Sequence, residues 1–170
     1  MGEEPAEGGG SLSGLFERAA IGDRWRSPEL RLDERAREVT AWAGYVFPLF
    51  TDEGFARRAG FDAVPVPGEL VLLLLGGLAE QTGAFDETTI ALSGLDGVRF
   101  HRPCLVGDRI RLEMTVAARE RSASGRRGFM TFLWTCLNQR DETVLEARAT
   151  LAFLTGQAPA RSSQPGPPPR

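Results

Sequence analysis

Lysine is absent from this chain of 170 residues, so all 20 of its basic residues are arginine. Schiff-base chemistry and a lysine general base are therefore excluded. Histidine occurs once, at His101, and the two cysteines, Cys104 and Cys136, lack the spacing of a zinc site or a disulfide framework. We expect each cysteine to be a small buried side chain. We expect no metal ion and no cofactor.

Long apolar runs and a basic face are also missing. The apolar run at residues 70–75 is far too short to span a bilayer. The N-terminus has no charged-then-apolar signal. A net charge of −3 spread over both signs argues against a nucleic-acid-binding face. These absences predict a cytoplasmic protein that binds neither membranes nor nucleic acids.

The composition is that of a globular protein, with 42% hydrophobic and 25% charged residues, and the length suits one domain. Residues 1–13 are rich in Gly and Glu, and the segment 155–170 ends in a Pro-rich run. Neither segment has enough apolar side chains to offset the entropy of ordering. We therefore predict one domain at residues 14–154 between disordered tails at 1–13 and 155–170.

The segment at residues 70–79 is apolar nearly all round, which predicts a buried helix rather than an amphipathic one. Strand signals follow it, with alternating apolar and polar residues that indicate one buried and one wet face. Helices followed by strands predict an α+β fold, with an antiparallel sheet wrapped around the buried helix. The other predicted elements are an opening strand at 24–32, a helix capped by Asp33 and running through Trp42, a short helix at 52–59 that we expect Asp52 to cap, and strands at 90–100, 109–119, 128–138 and 144–153.

Residues 44–52 read G-Y-V-F-P-L-F-T-D. This segment resembles the loop G-D-x-N-P-x-H-x-D of the MaoC-like hydratases and dehydratases, which add or remove water across an acyl thioester. Flanking segments also resemble family motifs: D-E-G-F-A-R-R-A-G-F at 52–61 and L-D-G-V-R-F-H-R-P at 95–103. The resemblance covers about residues 15–153. It implies a single hotdog fold that pairs with a second such unit, as a homodimer or as a heterodimer with a MaoC-like subunit.

The catalytic side chains of that loop are replaced. In the family the first Asp and the His form the acid/base pair and the Asn orients them, whereas these positions are Tyr45, Phe47 and Phe50 here. A phenyl ring cannot transfer a proton at neutral pH. His101 matches no catalytic position, and we interpret it as a surface or strand-edge residue.

Two residual catalytic candidates remain. Tyr45 has a phenol, but its ordinary pKa near 10 makes it a poor base at pH 7; the alternative role is packing with a satisfied hydroxyl group. Glu69 opens the central helix, and some hotdog thioesterases that resemble this architecture use a carboxylate there. The alternative for Glu69 is stabilisation of the helix N-terminus through the macrodipole.

The substrate-binding candidates adjoin these two residues. Family members have the sequence A-H-G-M at the start of the central helix, where this chain has V-P-G-E at residues 66–69. The resemblance implies that the N–H group of Gly68 polarises the thioester carbonyl group. Phe47, Phe50 and Pro67 are predicted to line an apolar wall around the acyl group.

Three hypotheses follow. The first is a non-catalytic partner subunit that binds an acyl-CoA or acyl-carrier-protein thioester. The second is an active hydratase, dehydratase or thioesterase whose rebuilt acid/base groups are Tyr45, Glu69 or Asp52. The third is a binding module for a lipid-like or aromatic ligand unrelated to coenzyme A.

Overall fold

A computed structural model of the chain describes residues 14–155. The predicted tail at 1–13 and residues 156–170 of the predicted tail at 155–170 lie outside the described residues. Thr155 is described, and its hydroxyl group donates a hydrogen bond of 2.5 Å to the Gly125 carbonyl group. In this described part of the chain, no helix is long and apolar enough to cross a bilayer.

One antiparallel sheet contains all four long strands, which are β4 (Thr89–Phe100), β6 (Arg109–Arg121), β7 (Arg127–Asn138) and β8 (Thr143–Leu154). They lie in the order β6, β7, β8, β4, so β4 is an outer strand. The four predicted strands are confirmed to within two residues at each end.

Four short strands complete the fold, and they are β1 (Arg24–Arg26), β2 (Leu30–Arg31), β3 (Pro65–Val66) and β5 (Cys104–Leu105). Both β1 and β2 pair with β6 at the other edge of the sheet, and β3 pairs with β5 separately.

The buried face of the sheet is built from cross-strand pairs. Met114 lies opposite Trp134, and Val116 lies opposite Phe132, in the register of β6 with β7. All four side chains are buried. The predicted alternation is therefore confirmed for β6 and β7, in which every second residue over most of the strand points into the core.

Helix α5 (Gly68–Gln81) packs against this face, and its residues Leu75 and Leu78 share one core cluster with the sheet. The predicted α+β architecture of a sheet around a central helix is confirmed. One detail differs, because Leu73 is 68% exposed in the single chain. The helix is thus covered on its sheet-facing side and uncovered on the opposite side, although its sequence is apolar on both.

Short helices precede α5. The side chain of Asp33 accepts a hydrogen bond from the Arg35 N–H group, and that of Asp52 accepts one from the Phe55 N–H group. Both predicted helices are therefore confirmed, each with a carboxylate cap on its first turn. A helix of four residues at 48–51 was not predicted. The bounds are α1 Leu15–Arg18, α2 Glu34–Trp42, α3 Pro48–Thr51 and α4 Glu53–Arg58.

The prediction of one opening strand at residues 24–32 is wrong, because the segment breaks at Ser27 and Pro28 into β1 and β2. Proline has no N–H group to donate to a neighbouring strand. The Ser27 side chain makes a hydrogen bond to β6 at this break, since its hydroxyl oxygen accepts a hydrogen bond of 2.9 Å from the Leu112 N–H group. The chain stays against β6 while the strand itself is interrupted.

Candidate functional site

A cavity of about 370 Å³ lies at the N-terminal end of α5, between that helix, the segment after α2 and the end of β4. Its wall is largely apolar, with Glu69, His101, Arg102 and Cys104 as its charged or titratable members. The apolar wall includes Leu49, Phe50, Phe61, Val66, Phe100 and Val144.

Gly68 is the first residue of α5 and forms part of this wall. A Cβ atom at this position would lie only 2.5 Å from Cε1 of Phe100, so the aromatic ring occupies the space a side chain would need. The first N–H groups of any helix have no intrahelical acceptor. Gly68 therefore combines a backbone donor with a close approach that a larger residue would obstruct.

Tyr45 and Glu69 are brought together at the edge of the cavity. The Tyr45 hydroxyl group donates a hydrogen bond of 3.2 Å to Oε2 of Glu69. Partial burial, and then the adjacent Glu69 carboxylate, raise the pKa of Tyr45 above its ordinary value of 10. The phenol thus keeps its proton at neutral pH, and its chemistry there is hydrogen-bond donation rather than proton abstraction.

The three predicted wall residues occupy different places. Phe50 lines the cavity. Phe47 is 54% exposed and packs edge-to-face against Phe50 and Phe55 beside the cavity. Pro67 is the buried N-cap of α5, and its carbonyl group accepts hydrogen bonds from Leu70 and Val71. Pro67 and Phe47 therefore support the residues that form the wall.

His101 belongs to the cavity wall, which sequence reasoning missed. Its Nε2 atom lies 2.9 Å from Oε2 of Glu146, and both side chains are 40% exposed. Antiparallel pairing of β4 with β8 produces this contact, because it sets Arg99 opposite Glu146 just before the strand ends. The sequence predicted that His101 lies at the end of a strand. It did not predict that β8 is the neighbouring strand, and so it did not predict the contact with Glu146.

Other ionisable groups serve the fold. Asp52 caps α4, in agreement with its structural interpretation. Among the residues that the structure describes, no group of three or more His, Cys, Asp and Glu side chains comes together as a metal site. The cavity can therefore offer a backbone donor, a carboxylate, an imidazole and a guanidinium group to a ligand with an apolar body.

Comparisons with known proteins agree on the fold. The chain is similar to a monoamine oxidase regulatory protein from Archaeoglobus fulgius, with 28% identity, a TM-score of 0.75, and coverage of 83% of this chain and 94% of that one. It is similar to a MaoC-like dehydratase from Rhodospirillum rubrum, with 26% identity, a TM-score of 0.75, and coverage of 84% and 98%.

A third similar structure is the C-terminally truncated HadBC complex, a 3R-hydroxyacyl-ACP dehydratase from Mycobacterium tuberculosis. Identity is 25%, the TM-score is 0.67, and the match covers 79% of this chain and 98% of that one. No curated protein matches the chain.

A family model described as the FAS1-like, dehydratase domain region matches residues 34–147, which is more than half of the chain. That range includes the loop at 44–52, the whole of α5 and the strands β4, β6 and β7. The chain therefore belongs to this dehydratase family, and its fold is the hotdog fold of the MaoC-like dehydratases and hydratases.

Proposed function

We propose that this chain binds an acyl-CoA or acyl-carrier-protein thioester at the N-terminal end of α5, as the non-catalytic subunit of a hydratase or dehydratase pair. Phe50 is the main support for this proposal, because it places a phenyl ring in the cavity wall where the family motif has its catalytic His. A ring of this kind can pack against an acyl group but cannot transfer a proton.

The neighbouring groups support binding without turnover. Tyr45 replaces the catalytic Asp of the motif, and its raised pKa keeps its proton in the hydrogen bond to Glu69 at neutral pH. The N–H group of Gly68 is a backbone donor, which persists whatever the surrounding side chains become. A thioester carbonyl group can thus be held while the groups that would move its hydrogens are replaced.

The outer strand β4 supports a partner subunit. Within residues 14–155, β4 pairs with β8 on one side only. Ile90, Leu92, Leu95 and Phe100 are exposed large apolar residues along it. An apolar edge of this kind favours pairing with another strand. The similar HadBC dehydratase is itself a complex, and we propose that a second MaoC-like hotdog subunit pairs with β4 here.

The test of this proposal compares the chain alone with the chain in a pair. The purified chain should bind crotonyl-CoA in calorimetry but should not hydrate it. Co-expression with a MaoC-like subunit that retains the D-x-N-P-x-H motif should give a stable complex with hydratase activity. Turnover by the lone chain at the rate of an intact family member would overturn the proposal.

Restoration of the motif gives a complementary test. The triple variant Tyr45→Asp, Phe47→Asn, Phe50→His returns the acid/base pair to the loop, and we expect it to gain crotonyl-CoA hydration. The matched control is Tyr45→Asn, Phe47→Asn, Phe50→Gln, which has side chains of similar size and no acid/base pair. Equal activity of the two variants would mean that the loop has not kept its catalytic shape.

Association through β4 can be measured separately by light scattering after size exclusion. Leu95→Glu should weaken association, because it places a charge on the apolar edge. Leu133→Glu is the matched control, since Leu133 on β7 is equally exposed, at 37%, and lies inside the sheet order rather than at its edge. The mass of the wild-type species alone and with its partner distinguishes a homodimer from a heterodimer.

A second candidate function is an active hydratase, dehydratase or thioesterase with rebuilt acid/base groups. The observation that favours it is that Glu69 and His101 line one cavity, with Glu146 in contact with His101. A carboxylate and an imidazole together are sufficient for general acid/base chemistry.

Glu69→Gln and His101→Gln test this second candidate on a panel of acyl-CoA substrates, with hydration, dehydration and thioester cleavage followed separately. A large loss of one activity in both variants would establish it. Glu87→Gln, an exposed carboxylate outside the wall, is the control. If no activity of the wild-type chain is detected, or if neither variant changes it, the residues do not catalyse.

A further inference from the structure

Two buried polar atoms without a protein partner lie around one cavity near the C-terminal end of α5. For Trp134 Nε1 and Thr89 Oγ1, no hydrogen-bond partner is found among residues 14–155. Both residues line a cavity of about 440 Å³. Folded proteins pair almost all such atoms, because an unsatisfied buried donor or acceptor loses its hydration without replacement. The unpaired indole N–H group of Trp134 marks this cavity as a candidate binding site.

This cavity is separate from the one at the helix N-terminus. It lies between the second half of α5, the start of β4 and the inner face of β7 and β8. The two cavities share no lining residue. Glu80, in the wall of the second cavity, is about 18 Å along the helix from Gly68. The inference therefore does not rest on thioester binding, although Ile90 and Leu92 in this wall also belong to the β4 edge proposed to pair with a partner.

The wall defines the chemistry of a ligand. Most of it is apolar, including Ala79, Phe85, Leu92 and Leu151. The Trp134 indole can only donate a hydrogen bond, so its partner must be an acceptor. Its side chain is 2% exposed, which leaves that donor inside the fold rather than in solvent.

The carboxylates in the wall disfavour an anion. Asp86 is already engaged, since its oxygens accept hydrogen bonds from the Leu15 N–H group and the Thr88 hydroxyl group, and it lies 3.1 Å from Arg18. Glu80 forms no salt bridge with any residue in the described range 14–155. A negatively charged ligand would therefore meet an uncompensated carboxylate.

We propose that this cavity binds an uncharged, mostly apolar molecule that carries a carbonyl or ether oxygen, and that this oxygen accepts a hydrogen bond from Trp134 Nε1. Because Trp134 Nε1 is covered in the present packing, a neighbouring side chain must move to admit the ligand oxygen.

Nuclear magnetic resonance of the indole N–H groups tests the proposal on the full chain. The sequence has three tryptophans, Trp25, Trp42 and Trp134, so ¹⁵N-tryptophan labelling gives three indole signals. The probes are acetophenone, its isostere α-methylstyrene, in which CH₂ replaces the oxygen, and benzoate, in which the same ring carries a negative charge. We expect acetophenone to move the Trp134 signal downfield and to bind about two- to tenfold more tightly than α-methylstyrene, as one neutral hydrogen bond provides.

Two glycines of α5 provide matched variants. A Cβ atom at Gly76 or at Gly77 would meet nothing within 4 Å, and only Gly76 lines the cavity. Gly76→Leu should fill the cavity and abolish the acetophenone response, whereas Gly77→Leu should leave it. Trp134→Phe should reduce acetophenone binding to that of α-methylstyrene, with Trp42→Phe, at an exposed tryptophan, as its control.

Several results would overturn the proposal: no saturable Trp134 shift with acetophenone, an equal shift with benzoate, or equal effects of the two leucine variants. The wild-type titration decides the matter by itself if Trp134→Phe fails to fold.

Discussion

The Tyr45 hydroxyl group and the Glu69 carboxylate are joined by a hydrogen bond of 3.2 Å, which links the segment after α2 to the first turn of α5. Tyr45 and Glu69 both differ from the residues that the family motifs have at these positions, so the motifs do not predict this contact. The phenol donates its proton in this hydrogen bond, and the Glu69 carboxylate accepts it. At the edge of the cavity, Tyr45 is therefore engaged as a hydrogen-bond donor.

Titration of Tyr45 provides the first prediction. It is the only tyrosine of the chain, so phenolate absorbance reports on it alone. We expect a midpoint above 10, because burial and then Glu69 both disfavour the phenolate. Glu69→Gln should lower the pKa towards 10 without reaching it, since burial, the larger cause, remains.

The same shift predicts a stability change with the sign that linkage requires. The folded chain holds the phenol proton more tightly than the unfolded chain, so this contribution is present below pH 10 and is lost as pH rises through the folded-state pKa. Glu80→Gln, on the same helix and distant from Tyr45, is the control for Glu69→Gln and should leave the Tyr45 titration unchanged. A wild-type midpoint at or below 10 would contradict both predictions.

Gly68→Ala is the second prediction. The added Cβ atom would lie 2.5 Å from the Phe100 ring, which is exposed enough to swing away. We expect the ring to move into the cavity, with weaker thioester binding and a change in unfolding free energy below about 1 kcal/mol. Calorimetric titration with crotonyl-CoA and denaturant unfolding measure the two effects.

Phe100→Ala in the Gly68→Ala background should recover binding, because it removes the ring that the new methyl group displaces. Gly77→Ala is the matched control, since a Cβ atom there meets nothing within 4 Å. That control should stabilise the helix by about 0.5–1 kcal/mol and leave binding unchanged. Unaltered binding by Gly68→Ala would mean that the ligand does not approach this part of the wall.

Local patterns were sufficient to predict the four long strands of the sheet. Leu112, Met114 and Val116 alternate with polar neighbours, and a period of two residues already fixes which side chains share a face. The capping carboxylates Asp33 and Asp52 were equally readable, since a helix start depends on residues next to it in sequence.

Features that depend on contacts distant in sequence were not predictable. His101 reaches the cavity because β4 and β8 are neighbours, and nothing near residue 101 specifies that pairing. Leu73 is as apolar as Leu75, yet 68% of it is exposed and Leu75 is fully buried. The difference depends on which face the sheet covers, and an apolar composition on both faces gives no signal of it.

The third prediction concerns the two free cysteines. Burial raises the pKa of Cys104 and of Cys136 to about 12 each. The thiolate is the reactive form, so at pH 8 only about one thiol in ten thousand is ionised. We expect no reaction with a thiol-specific reagent in the folded protein and two equivalents after denaturation. Rapid modification at pH 8 without denaturant would contradict the buried positions.

The packing of Phe16 against Gly128 connects α1 to β7. Phe16 is buried, its ring lies 6.4 Å from that of Phe153, and the guanidinium groups of Arg119 and Arg121 lie 4.8 and 5.1 Å from its centroid. A Cβ atom at Gly128 would overlap the Phe16 ring. Unlike the Phe100 ring, which belongs to a side chain that is 55% exposed, this ring belongs to a side chain that is only 3% exposed and is packed on several sides.

Gly128→Ala should therefore reduce the free energy of unfolding by about 1–3 kcal/mol, as expected for overpacking of an enclosed site. Denaturant unfolding measures the loss. Gly94→Ala is the matched strand control, because its Cβ atom would make only ordinary contacts at 3.8 and 3.9 Å. Phe16→Leu in the Gly128→Ala background should recover part of the loss in a double-mutant cycle, because a smaller side chain relieves the overlap. Additive effects of the two substitutions would show that Gly128 is required for another reason.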